Sequence, residues 1–217
     1  MEVIDNSGRN ALIESSANND SDIVETLLVR KARLNQQDKL GRSALIEACA
    51  EGHSVVVFQL LATRGVTPLE DTNSAIFSSE FIANEGETPM NVYPDDENKL
   101  NLNLQDWDGR TALICACEEG YIGIALALIR AGAVLNITSK MNNNPCDKSF
   151  GRTALIEACE RGLRSVVEAL IAAGADLNMC DTRGRSPLVS ACVWGHDEIA
   201  KGIGIVCENI LSTLCLI

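Results

Sequence analysis

A short string, Gly-Arg-(Ser/Thr/Asn)-(Ala/Pro)-Leu-(Ile/Val), occurs five times, beginning at Gly8, Gly41, Gly109, Gly151 and Gly184. Four copies run on into a small residue and a cysteine, and the steps between copies are 33, 68, 42 and 33 residues. A recurring period near 33 means one supersecondary unit repeated along the chain. Such a unit is too small to bury its own apolar face, so the copies must stack. A stack offers an extended surface rather than an enclosed pocket, which points to binding and away from catalysis.

The cleanest copy, residues 148–181, shows what the unit is. Leu155, Ile156, Ala158 and Cys159 recur at the spacing of a short amphipathic helix. Thr153 stands before it as a cap and Gly162 ends it. Val166, Val167, Leu170 and Ile171 mark one face of a second helix, and Gly174 stops that one. The pattern predicts turn, helix, tight loop, helix and a β-like hairpin.

This unit resembles the ankyrin repeat. The family signature can be laid on DTRGRSPLVSACVWGH at 181–196 and on DKLGRSALIEACAEGH at 38–53, and the resemblance covers about 80% of the chain. The family histidine after the Leu is replaced by Ile13, Ile46, Ile114, Ile156 and Val189, so apolar packing must substitute for its hydrogen bond. The resemblance implies an all-α ankyrin-repeat solenoid of helix-turn-helix units joined by β-hairpin-like loops, spanning 1–201. Units are expected near 5–37, 38–70, 71–105, 106–147, 148–180 and 181–201, followed by an irregular apolar tail at 202–217. The 71–105 segment is read either as a decayed repeat, its second helix damaged by Pro89 and Pro94, or as an ejected loop. It holds most of an acidic stretch, 66–101, in which eight acidic residues face the single Lys99. Ser15 and Ser16 replace the small-Cys pair in the first unit, which reads as a solvent-facing cap. Ser139–Pro145 is an insertion expected at a hairpin tip.

Several function classes drop out. A net charge of −12 and a pI near 4.6 argue against nucleic acid, whose binders cluster Lys and Arg. No basic stretch opens onto an apolar core at the amino terminus, and no apolar run is long enough for a membrane span. A cytoplasmic or nuclear, monomeric protein is expected, with no membrane partner. Cys49, Cys117, Cys159 and Cys192 share one repeat position, as buried thiols do, so no metal site is expected. His53 and His196 each follow the glycine that breaks the first helix, where local hydrogen bonding accounts for them. No catalytic residue, cofactor or enzyme activity is expected.

Two sets of residues remain for partner binding. Arg9, Arg42, Arg110, Arg152 and Arg185 repeat beside the hairpins, with Glu14, Glu47 and Glu157 five residues on. These ladders either pair with each other or leave the arginines for carboxylates of a partner. The resemblance further implies contacts at hairpin tips and first-helix ends. Among those positions are Trp107, Asp108, Glu118, Glu119, Phe150, Arg161, Arg183 and Trp194. Each large ring either anchors a partner or lies flat against its neighbouring unit. The expected function is a non-catalytic protein-interaction scaffold, the alternative being the targeting segment of a larger enzyme, channel or adaptor. The resemblance also makes Asn178 a possible hydroxylation site; its default role, like that of Asn35, Asn103 and Asn136, is local turn bonding.

Overall fold

The computed structural model describes residues 3–65, 99–140 and 151–214, with side chains described through Cys207. Among the described residues are ten helices and no sheet, apart from an isolated antiparallel bridge between Gln37 and Ser43. In chain order they are α1 (Ala11–Ala17), α2 (Ser21–Val29), α3 (Ala44–Ala50), α4 (Ser54–Ala62) and α5 (Ala112–Glu119). They continue as α6 (Ile122–Arg130), α7 (Ala154–Glu160), α8 (Arg164–Ala172), α9 (Pro187–Val193) and α10 (Asp197–Leu214).

The repeated string sets where each odd-numbered helix begins. Its third residue is Asn10, Ser43, Thr111, Thr153 or Ser186, and each side chain accepts a hydrogen bond from the amide three residues on. This satisfies one of the donors that a helix start leaves orphaned. Pro187 replaces alanine in the first turn of α9, where a missing amide costs nothing.

Two compact units are present. In the first, Met1–Asn101, α1 packs on α3 and α2 on α4. In the second, Leu102–Ile217, α5 packs on α7, α7 on α9 and α6 on α8. The buried faces are those the periodicity marks: Leu12 and Ile13, Leu45 and Ile46, Leu113 and Ile114, Leu155 and Ile156. Each such side chain contributes about 1.5–3 kcal/mol when fully removed from water. Cys49, Cys117 and Cys159 are buried beside them as small hydrophobes, and burial pushes the Cys159 thiol up to about 12.

The hairpin asparagines do more than bond within their own turns. Asn103 Oδ1 accepts from the Val134 amide at 2.8 Å, and Asn136 Oδ1 from the Asp176 amide at 3.0 Å. Each bond reaches the next hairpin, two residues before that hairpin's own asparagine. Asn35 makes the same contact with the Asn101 amide at 2.7 Å, and its Nδ2 donates to the Lys99 carbonyl at 2.8 Å. Lys99–Asn101 is therefore the hairpin segment next after that of Asn35. Arg64, just past α4, donates to the Leu100 carbonyl at 2.7 Å and ties the segment to the unit built on α3 and α4. The expected helices of 71–105 fall on residues 66–98, outside the described residues.

The histidines also bridge units. His53 Nδ1 lies 2.9 Å from the Ser16 carbonyl and His196 Nε2 3.0 Å from that of Glu160, more than thirty residues back in each case. The His196 ring lies against Gly162, where a β-carbon would sit 2.6 Å from Cε1.

Three expectations need correction. Ser15 and Ser16 are buried rather than solvent-facing, because α1 packs against both α2 and α3. Cys192 is exposed, unlike its three counterparts, for want of a following layer among the described residues. The tail is regular to Leu214: α10 runs through Gly202 and Gly204, each costing about 1 kcal/mol relative to alanine. Burial of Ile199 and Ile203 offsets that cost.

Candidate partner-binding surface

Each hairpin tip is fixed by one polar side chain. Asp5, Asp38, Asp106 and Asp181 each accept, through Oδ1, the amide of the arginine four residues on, at 2.8 Å. Ser139 takes this role in the lengthened hairpin, its Oγ accepting from the Arg152 amide at 3.0 Å. The unit assigned to 148–180 thus opens at Ser139, with the insertion inside its turn. Residues 141–150 of that turn, Phe150 and most of Ser139–Pro145 among them, lie outside the described residues.

All five repeated arginines are engaged within the protein. Arg9 pairs with Glu14 (3.0 Å), Asp38 (3.4 Å) and Glu47, the last two in the following unit. Arg42 also reaches Asp38 and Glu47. Arg110 contacts Asp106 (3.0 Å), Asp108 (3.3 Å) and Glu118 (3.4 Å), while Arg185 pairs with Asp181 at 2.8 Å. Arg152 is buried against Glu157 (3.1 Å) and Glu160 (2.6 Å), so its guanidinium is not offered outward. The ladders pair with each other at Arg9, Arg42 and Arg152, whereas Arg110 and Arg185, whose repeats carry Cys115 and Ser190 in place of the glutamate, pair with other carboxylates.

Burial sets the charge states around these pairs. The Glu157 carboxyl is pushed up to about 7 by desolvation; the Arg152 charge and hydrogen bonds oppose this, and Glu118 and Glu160 add to it. Desolvation likewise raises Asp106 against the pull of Arg110. At Asp181 desolvation pulls upward too, but the amides of Arg185 and Arg183 and the Arg185 guanidinium outweigh it and hold the carboxyl low.

What remains on the surface is mixed in character. Trp107, at a hairpin tip, is 65% exposed, and Trp194, at the end of α9, is 54% exposed. Glu119, Arg161 and Arg183 are exposed, and Asp108, Arg110, Glu118 and Arg185 are half-buried. The Lys140 amide donates to the Asp108 carbonyl at 2.6 Å and steadies the backbone beside Trp107. All these residues belong to the second compact unit. Asn178 is also exposed, its amide donating to Asp176 Oδ1 at 2.8 Å.

The family model for ankyrin repeats (3 copies) matches residues 12–139 and 133–204. The chain belongs to the ankyrin repeat family. No curated protein matches it. Ankyrin repeats are generally protein–protein interaction modules, so protein partners are the class this surface suits. Among the described residues no group of three or more metal-binding side chains comes together, and no helix is long and apolar enough to cross a membrane.

Proposed function

We propose that this ankyrin array is a non-catalytic scaffold that binds a protein partner through the hairpin tips and first-helix ends of its second compact unit. The observation that carries the reading is the exposure of Trp107 and Trp194, the chain's two tryptophans, at two such positions. A large ring held in water loses apolar surface to solvent at little entropic cost when a partner covers it, so tryptophan dominates interface hot spots.

The flanking charges set the partner's character. By repeat, Trp107 shares its unit with Asp108, Glu118 and Glu119, whereas Trp194 shares its unit with Arg183 and follows the unit of Arg161. A partner with a basic segment near the first ring and an acidic one near the second fits this order, and its charges govern encounter rate more than affinity. Pull-down from native cell extract, comparing wild type with a Trp107→Ala/Trp194→Ala double variant, tests the reading. Circular dichroism confirms that both are helical. Partners kept by wild type and lost by the variant support this face; equal recovery by both removes it.

A further inference from the structure

In a chain of net charge −12, cations gather at the end of α2. Arg30, Lys31 and Arg33 fall within four residues, all exposed, and Val29 beside them is 57% exposed. Neither Arg30 nor Lys31 has an ion pair or a side-chain hydrogen bond among the described residues. The exposure belongs to this loop in every layer and not to the place of the unit in the chain. After α6 the positions matching Val29, Lys31 and Arg33 are Arg130, Gly132 and Val134, and after α8 they are Ala172, Gly174 and Asp176. All six are exposed as well.

The backbone of Lys31 supplies a second observation. It stands at φ +57°, in the left-handed region, where Gly132 and Gly174 serve after α6 and α8. A β-carbon makes that conformation costly, which is why glycine commonly ends a helix in this way. A cation near a helix C-terminus recovers part of the cost through the helix dipole. Arg30, the residue before, already fills that role. Helix stability therefore accounts for Arg30 and leaves a lysine at a glycine position unexplained.

We propose that Arg30, Lys31 and Arg33 form a docking site for an acidic segment of a protein partner, with Val29 receiving an apolar residue of that segment. Two guanidinium forks and an ammonium suit carboxylates. A single exposed pair contributes little, so a small anion would not be held on an open loop. A run of carboxylates meets three cations at once, and each contact made raises the local concentration for the next. An extended polyanion fits less well. A DNA duplex or an anionic membrane would reach past the loop to Asp22 and Glu25, exposed on α2, and would meet the negative field of the whole chain. This site lies in the first compact unit and the tryptophan face in the second, so neither reading needs the other.

Titration of octaglutamate into the isotope-labelled full chain at near-physiological salt, followed through backbone amide shifts, tests the site. Wild type should shift most at residues 29–33. Lys31→Gly keeps the turn and relieves its backbone. It should raise the melting temperature while weakening affinity by up to about fivefold, the worth of one exposed pair. Arg30→Glu combined with Arg33→Glu should abolish the shifts, and the Trp107→Ala/Trp194→Ala variant should respond as wild type does. Absence of shifts at 29–33 in wild type overturns the inference, as does an affinity that Lys31→Gly leaves unchanged. A lower melting temperature for Lys31→Gly removes the strain on which it rests. A larger response of the same amides to duplex DNA or to phosphatidylserine vesicles overturns the assignment to a protein segment. Loss of the response in the tryptophan variant contradicts the separation of the two sites. Should the charge-reversed variant lose helicity by circular dichroism, Lys31→Gly decides.

Discussion

Helices α7 and α9 carry nearly the same sequence, ALIEACE and PLVSACV, in the same compact unit, yet their surroundings differ. α7 lies between α5 and α9 and buries Leu155, Ile156 and Cys159. α9 has a packed neighbour on the α7 side and leaves Val189 and Cys192 exposed on the other. Sequence makes a position suitable for burial, but the neighbouring layer decides whether it is buried. Free energy in a solenoid accordingly resides in the joints between layers as much as in the units.

The largest difference should follow from truncating the shared leucine. Leu155→Ala should lose about 2–5 kcal/mol, the cost of a core cavity. Leu188→Ala, at a half-buried site that can collapse, should lose less than about 1.5 kcal/mol. Urea midpoints of the two variants check this, and equal losses would break the comparison.

Glycine gives the next effect. Gly162 and Gly195 both end an odd-numbered helix with positive φ, at +71° and +75°. Alanine at either pays about 1–2 kcal/mol for the left-handed conformation. Only at Gly162 would the new methyl also meet the His196 ring, whereas nothing lies within 4 Å at Gly195. Gly162→Ala should therefore melt at a lower temperature than Gly195→Ala.

A smaller, pH-dependent effect separates the layers. Glu157 titrates near 7 in the folded chain against an ordinary value of 4.5, so the folded state holds its proton more tightly than the unfolded state. Its stabilising contribution is fully present below about 4.5 and is lost as pH rises through 7. The melting temperature of wild type should climb relative to Glu157→Gln as pH falls from 8 to 5. A difference that stays flat across that range would remove the assigned cause.

Much of this was legible in the chain. The string located the start of every odd-numbered helix, since a hydroxyl or amide before Ala-Leu or Pro-Leu is both a cap and a register mark. The candidate contact positions came from the resemblance, which fixes tip and helix-end residues relative to the repeat. Ser15, Ser16 and Cys192 were misread because residue type reports solubility, whereas stacking order decides exposure. The cross-unit bonds of Asn35, Asn103 and Asn136 left no local signal, their acceptors and donors being 31 to 66 residues apart. Ser139 escaped notice as a turn cap because it stands where the other hairpins carry an aspartate. The continuation of α10 past Lys201 was missed because two glycines suggest a break that tertiary burial overrides.

The smallest stability effect belongs to the proposed binding rings. Trp107→Ala and Trp194→Ala should each change folding free energy by no more than about 0.5 kcal/mol, as exposed side chains do. A loss of several kcal/mol in denaturant unfolding would make the rings packing residues instead.

Thiol labelling of the dilute native chain, read cysteine by cysteine by peptide mass spectrometry, tests most directly whether the layer above decides burial. Cys192 should react at once, while Cys49, Cys117 and Cys159, at the same repeat position, should react only as the chain unfolds. Native reaction of Cys159 as fast as that of Cys192, or silence of Cys192, would contradict the account.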